Sequence, residues 1–225
     1  MPSVLIVGAS RGIGLEFAKQ YAQAGWQVHA TYRTPASELE NIADIKTYKL
    51  EATSEEDIKQ TQAALGDTPI DLLIINAGIY GQSDAYFGHT DKQLWSNAFE
   101  VNTIAPMKIA EAFVENVAAS DKKIIAALSS KMGSMADNGS GGSYVYRSSK
   151  AALNAVMKSM SIDLADEYGI NVVVLHPGWV ITDMTGTNAL ITTEESVKGM
   201  MSLMEGLSVQ DRGKFFDYKG NEILW

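Results

Sequence analysis

Tyr146 and Lys150, within the run Tyr146-Arg147-Ser148-Ser149-Lys150, are the residues whose types and spacing most directly suggest chemistry. Four residues apart, they share one face of a helix if the stretch after Tyr144 is helical, as Ala151 to Met157 suggests. A free phenol titrates near ~10, and a neighbouring ammonium favours the phenolate, so the pair can serve as a general acid or base near neutral pH. Bringing a phenol from ~10 to near ~7 takes about 4 kcal/mol of preferential phenolate stabilisation. Of nine tyrosines, Tyr146 alone has lysine at this spacing. The same spacing also describes a helical tyrosine beside a solvated lysine, so its meaning depends on what positions it.

Just upstream, the apolar run Lys123 to Leu128 ends in Ser129-Ser130. A serine hydroxyl at a strand end can donate to a carbonyl oxygen and polarise it without being a nucleophile. No Gly-x-Ser-x-Gly elbow surrounds either serine, which excludes the usual hydrolase context. Gly139 to Ser143 reads as a loop leading into the Tyr146 helix.

The elements that must carry these residues are short apolar runs: Val4 to Val7, Val28 to Tyr32, Thr47 to Leu50, Asp71 to Ile75, Lys123 to Leu128, Asn171 to Leu175 and Lys214 to Tyr218. Helical patterns lie between most of them. Continuous apolar strands alternating with helices predict a single-domain α/β Rossmann fold, a doubly wound, mostly parallel seven-stranded sheet with helices on both faces. Such sheets bind ligands at the carboxyl ends of their strands.

Those ends are where the remaining motifs fall. The first strand runs into Gly8-Ala9-Ser10-Arg11-Gly12-Ile13-Gly14, followed by an apolar-periodic helix. Glycines allow a sharp turn and close backbone approach, and the free N–H groups of a helix start attract a pyrophosphate. The spacing is Gly-x-x-x-Gly-x-Gly, and the Gly-Lys-Ser/Thr of a nucleoside triphosphate loop is missing. The second strand ends at Tyr32-Arg33, without the acid that would bind the adenosine ribose of NAD or of S-adenosylmethionine. Arg33 and Arg11, two of only four arginines, suit the extra phosphate of NADP. NADP(H) is the expected cofactor, with NAD(H) possible.

Glu51-Ala52 follows the third strand, where Glu51 either contacts an adenine amino group or is solvated; Thr53 is the expected cap of the next helix. Asn76-Ala77-Gly78 follows the fourth strand, small enough for close contact with a flat adenosine, with Asn76 able to bridge strand ends. The loop from Ile79 to Asp91 is a candidate substrate wall, and His89 within it reads as a surface histidine. Asn102 approaches Pro106, which interrupts or kinks the helical run and frees carbonyls beside which a water can be held. The sixth strand leads to His176-Pro177-Gly178-Trp179-Val180-Ile181-Thr182, where backbone around Val180 and the Thr182 hydroxyl can hold a carboxamide. Asp183 to Thr193 is a candidate lid, with Thr193 the expected cap of the helix beyond it.

The bulk numbers fit one soluble domain. The 225 residues with 46% hydrophobic content can bury a full core. A formal net charge of -9 argues against nucleic-acid binding. The absence of cysteine excludes disulfides and thiol catalysis; no metal is expected, and a cytoplasmic location suits the composition. No stretch approaches the ~20 apolar residues that cross a bilayer.

Taken together, Gly8-x-x-x-Gly12-x-Gly14, Asn76-Ala77-Gly78, Asn102, Ser130, Tyr146-x-x-x-Lys150 and Pro177-Gly178 to Thr182 resemble the short-chain dehydrogenase/reductase family, in family order over essentially the whole chain. Tyr146 to Asn154, His176 to Val180 and the ending Gly220 to Trp225 look like its C-factor and Sniffer-type carbonyl reductases. The resemblance implies hydride transfer between nicotinamide and a small carbonyl or alcohol. In it Tyr146 protonates the alkoxide, Ser130 orients the carbonyl, Lys150 binds nicotinamide ribose and lowers the tyrosine pKa, and Asn102 holds a water. It also implies a homodimer or homotetramer, though monomers occur in the family. The alternative is a dinucleotide-binding signalling or sensor protein with little turnover. Val7, Ile75 and Glu51 depart from the family's usual threonine, asparagine and aspartate. Ser130 lies sixteen residues before Tyr146, a longer spacing than is common, which keeps Ser129 as a competitor.

Overall fold

The computed structural model describes residues 1–225. Its strands are β1 (Ser3–Val7), β2 (Gln27–Tyr32), β3 (Ile45–Lys49), β4 (Leu72–Ile75), β5 (Ile124–Leu128), β6 (Asn171–His176) and β7 (Phe215–Asp217). They form one sheet in the order β3-β2-β1-β4-β5-β6-β7, and every pairing is parallel. "Mostly parallel" therefore understates the sheet: no two neighbours are joined by a hairpin, and a parallel neighbour needs a long crossover. The chain runs outward from β1 to β3, then returns to place β4 on β1's other side. At that reversal the connections leave in opposite directions, so a cleft opens between the carboxyl ends of β1 and β4.

Continuous apolar strands send alternate side chains to two separate cores. Leu5, Val7, Leu73, Ile75, Ile125, Ala127, Val172 and Val174 face one layer; Val4, Ile6, Leu72, Ile74, Ile124, Ala126, Val173 and Leu175 face the other. The first is covered by α3 (Glu55–Leu65), α5 (Ala105–Ala118) and α6 (Tyr144–Tyr168), which bring Ile58, Phe113 and Met157. The second is covered by α1 (Gly12–Gln23), α2 (Ser37–Glu40) and α7 (Thr193–Glu205), which bring Phe17, Leu39 and Met200. The short helix α4 (Lys92–Phe99) packs its Ala98 against Val145 at the start of α6. No helix is long and apolar enough to cross a membrane.

Both expected caps shift by one residue. Ser54, not Thr53, caps α3 by accepting from Asp57 N at 3.1 Å, and Thr192, not Thr193, caps α7 by accepting from Glu195 N at 3.2 Å. A cap must reach the N–H three residues on from an extended backbone, and Ser54 and Thr192 have that backbone. The interruption expected at Pro106 lies upstream: Glu100–Ile104 is a π-helical turn, and Pro106 sits in the first turn of α5. Proline offers no N–H to the carbonyl of Asn102, four residues earlier, and its ring crowds that carbonyl; the wider turn accommodates both effects.

His29, on β2, is fully buried, with Nδ1 2.8 Å from the Tyr48 hydroxyl and Nε2 without a partner. Burial first, then the charge of Lys46, pulls its pKa down to about 4. Between pH ~6.5 and about 4 the unfolded chain binds a proton that the folded chain refuses, so this stability is present above ~6.5 and lost as pH falls. The effect is worth about 3 kcal/mol at most. Urea unfolding followed from pH 7 to 4.5 is expected to show a steep loss that His29→Gln reduces by about half, because buried His176 is shifted alike; parallel pH slopes for the two proteins would refute this origin.

Candidate active site

A cleft of about 610 Å³ opens at the carboxyl ends of the strands. Its wall includes Gly8, Ser10, Arg11, Gly12 and Ile13 after β1, Arg33 after β2, Glu51 and Ala52 after β3, and Asn76, Ala77 and Gly78 after β4. Ser129, Tyr146 and Lys150 form its inner end, with Pro177 and Thr182 beyond β6. Gly14, Asn102, Ser130, Gly178 and Val180 are not on this wall. Gly14 stands behind the glycine loop for a steric reason: a Cβ there would lie 2.0 Å from the carbonyl oxygen of Gly8. Val180 is buried and pairs with Ile191, while Gly178 packs against Ile191 and Tyr218.

The loop's shape is fixed by hydrogen bonds from neighbouring strand ends. Asn76 Nδ2 donates to Gly8 O at 2.7 Å, the bridge its position suggested, and Gly8 N donates to Thr31 Oγ1 at 3.0 Å. Thr31 thus makes from β2 a contact that Val7, with no hydroxyl, cannot supply. The backbone N–H groups of Gly12, Ile13 and Gly14 have no acceptor in the chain, and Arg11 offers no side-chain cap. An anionic oxygen at the start of α1 would satisfy them, so this cradle fits a pyrophosphate.

Both arginines of the cleft already hold acids. Arg11 Nη1 lies 2.8 Å from Asp183 Oδ2, joining the glycine loop to the candidate lid, and Arg33 Nη1 lies 3.7 Å from Glu51 Oε2. Glu51 is thus paired, though still on the cleft wall. These pairs are exposed and worth little, which leaves the guanidinium groups available to a competing phosphate. Lys19 and Glu38, an ion pair at 3.1 Å, and Asp183 also line the cleft and were missed. Lys19 was discoverable, because it follows Gly12 and Glu16 along one face of α1. Asp183 and Thr31 carry no local signal.

At the inner end, Tyr146 is 9% exposed and Lys150 only 4%, one turn apart on α6. Lys150 Nζ donates to Leu128 O at 2.9 Å, the last carbonyl of β5. Burial lowers the Lys150 pKa to about 8, so its charge persists at neutral pH. Burial pushes the Tyr146 phenol up to about 12; a hydrogen bond from Ser130 opposes the rise, and Tyr80 adds to it. The expected lowering by Lys150 is therefore not what the chain alone produces: burial dominates, the opposing influence comes from Ser130, and the ammonium is directed at Leu128.

The two serines separate cleanly. Ser129 is buried and donates to Asn154 Oδ1 at 2.7 Å, whereas Ser130 Oγ accepts from Met132 N at 3.2 Å and lies near enough to Tyr146 to lower its pKa. Asn102 is fully buried; its Nδ2 donates to Ile79 O and Ser149 Oγ, and its Oδ1 accepts from Ile79 N. His176 is a strand-end residue whose Nδ1 is unpaired, with a pKa lowered to about 4 chiefly by burial. His89 is exposed and lies against the Tyr86 ring, tilted by 34°.

Residues 2–190 match the family model of the short chain dehydrogenases, and the chain belongs to that family of oxidoreductases. Among its relatives, the C-signal protein of Myxococcus xanthus is 42% identical over 157 residues, covering 70% of this chain and 93% of that one. The NADPH-bound carbonyl reductase from chicken fatty liver superposes with a TM-score of 0.92 at 35% identity, covering 100% of this chain and 99% of the other. The carbonyl reductase Sniffer of D. melanogaster gives 0.93 at 30% identity, with both chains fully covered.

The Thr31 contact is open to a direct test. Thr31→Val keeps the shape but leaves the Gly8 N–H without its acceptor, at a cost of about 1–3 kcal/mol. Urea melts should show that loss together with weaker dinucleotide binding; an unchanged melt would rule out a supporting role for the hydroxyl.

Proposed function

We propose that this chain is an NADPH-dependent carbonyl reductase with Tyr146 as its general acid. The observation that carries the reading is Tyr146 beside Ser130 and one turn from buried Lys150, at the inner end of a cleft whose outer end offers unpaired N–H groups and two arginines. NADPH-bound carbonyl reductase from chicken, of nearly the same shape, supports the choice of cofactor and chemistry.

The residues divide the work by position. The N–H groups of Gly12 and Ile13 on the cleft wall would bind the pyrophosphate, Arg11 and Arg33 would exchange their acids for the ribose phosphate, and Ala77 and Gly78 would admit the adenosine. Lys150 holds the nicotinamide ribose, and Pro177 to Thr182 orient the carboxamide. The cofactor, when bound, supplies the hydride. Ser130 donates a hydrogen bond to the substrate carbonyl oxygen, which raises its polarity, and Tyr146 passes its hydroxyl proton to that oxygen as negative charge develops there. The charge of Lys150 favours the phenolate left behind, and a water at the Asn102 carbonyl can return a proton from solvent.

Tyr146→Phe is expected to lower kcat about 10²- to 10⁴-fold while NADPH still binds. Ser130→Ala should cost about 10²- to 10³-fold. Ser129→Ala should leave turnover near normal, because that hydroxyl is already held by Asn154. Assays with a panel of aldehydes, ketones and quinones decide the matter: normal turnover in Tyr146→Phe removes the mechanism.

Cofactor choice is tested separately. Arg11→Ala combined with Arg33→Ala should weaken NADPH binding about 10- to 100-fold and leave NADH binding little changed. A wild-type preference for NADH would overturn the roles given to both arginines. The 42% identity to C-signal favours a second reading, a dinucleotide-binding signalling protein with little turnover. NADPH binding without oxidation across the whole panel would select it.

A further inference from the structure

Tyr80 opens the loop after β4, and no motif draws attention to it. Its ring stacks on that of Tyr146, with centroids 4.6 Å apart and planes inclined by 22°. Its hydroxyl lies 3.0 Å from Ser143 Oγ, the residue immediately before α6. Ser143 adopts φ +47, a left-handed conformation that a non-glycine residue takes only when its surroundings hold it there. The same loop is fastened to the start of α6 at other points. Tyr144 N donates to Ala85 O at 3.2 Å, and Gly81 packs so closely on Val145 and Ala98 that a Cβ would meet Val145 at 2.8 Å. The helix that follows the loop, α4, is tied to the same place: its Trp95 Nε1 donates to Ser148 Oγ at 2.8 Å.

We infer that Tyr80 is a positioning residue for the proton donor: its ring fixes the rotation of the Tyr146 ring, and its hydroxyl fixes the helix start that carries it. The inference rests on the reading of Tyr146 as general acid. The helix backbone sets where the Tyr146 side chain begins, but the terminal torsion of a tyrosine is broad, so a neighbour must choose the ring plane. A stacked ring does so while keeping water from one face. With Tyr80 gone the Tyr146 ring can turn, and because a phenol's hydrogen lies near the ring plane, its proton is then aimed away from the substrate oxygen; a small misorientation of a reacting group is costly in rate. Tyr80 is not on the cleft wall, so dinucleotide binding should be spared.

The test compares Tyr80→Leu, Tyr80→Phe and Tyr146→Phe, with thermal melts to establish folding and fluorescence titration to measure NADPH binding. Tyr80→Leu is expected to lower kcat about 10- to 100-fold with the NADPH dissociation constant within about threefold of wild type. Tyr80→Phe, which keeps the stack, should recover most of that rate. If Tyr80→Leu does not fold, Tyr80→His, with a smaller flat ring, makes the same comparison and should give an intermediate kcat. Wild-type kcat in folded Tyr80→Leu or Tyr80→His, or equal losses in Tyr80→Phe and Tyr80→Leu, overturns the inference. Normal turnover in Tyr146→Phe instead overturns the reading beneath it, so the two failures are distinguishable.

Discussion

Lys150 brings a full charge into the interior of the protein with one protein acceptor, the carbonyl of Leu128. A buried ammonium is tolerated only where its hydrogen bonds and electrostatic surroundings compensate for lost water. That requirement ties α6 to the end of β5, because the acceptor is a main-chain oxygen whose position depends on strand pairing from β4 through β6. Gly133 completes the arrangement: a Cβ there would lie 2.9 Å from the Lys150 backbone, so the turn after β5 can lie flat on the helix. Tyr146, one turn earlier, inherits its place from the same contacts.

A second set of contacts shapes the opposite end of the cleft with neutral groups. Gly8 sits at φ +89, its carbonyl held by Asn76 and its N–H by Thr31, so three strand ends define one loop. Holding the loop from both sides leaves the N–H groups of Gly12, Ile13 and Gly14 without protein acceptors. The arginines add charge that is held in reserve, since each faces an acid across an exposed and therefore weak pair. In an acidic chain such pairing limits the cost of clustered positive charge in the absence of a phosphate.

The sheet was largely legible because its signal is short-range. Continuous apolar runs such as Leu72–Ile75, alternating with helical patterns, read as strands covered on both faces, and glycine motifs at their ends mark the cleft. The spacing of Tyr146 and Lys150 likewise survives into the structure because a helix preserves it. What escaped depends on distance. Thr31 meets Gly8 from a different strand, Asp183 reaches Arg11 across 172 residues, and Tyr80 stacks on Tyr146 across a loop. None of these has a period or a motif. The caps slipped by a residue because adjacent polar residues, Thr53-Ser54 and Thr192-Thr193, are distinguished only by backbone dihedrals. The choice between Ser129 and Ser130 was open for a similar reason: strand alternation sends neighbours to opposite sides, and which side holds Asn154 is a tertiary fact.

Desolvation also shapes the proposed chemistry. With the chain's own groups alone, the Tyr146 phenol sits at about 12, and leaving it deprotonated at pH 7 would cost about 7 kcal/mol. A proton donor must begin protonated, and burial keeps the Tyr146 hydroxyl intact at neutral pH. The same burial lowers Lys150 to about 8 without discharging it at neutral pH, so a positive charge remains one turn away as the proton leaves. A shallower site would bring the phenol nearer to ~10 and ease its ionisation, but it would also weaken the field of that ammonium through solvent screening. The depth of α6 against β5 therefore sets two opposing quantities at once, and the balance at neutral pH favours an intact hydroxyl beside an intact cation.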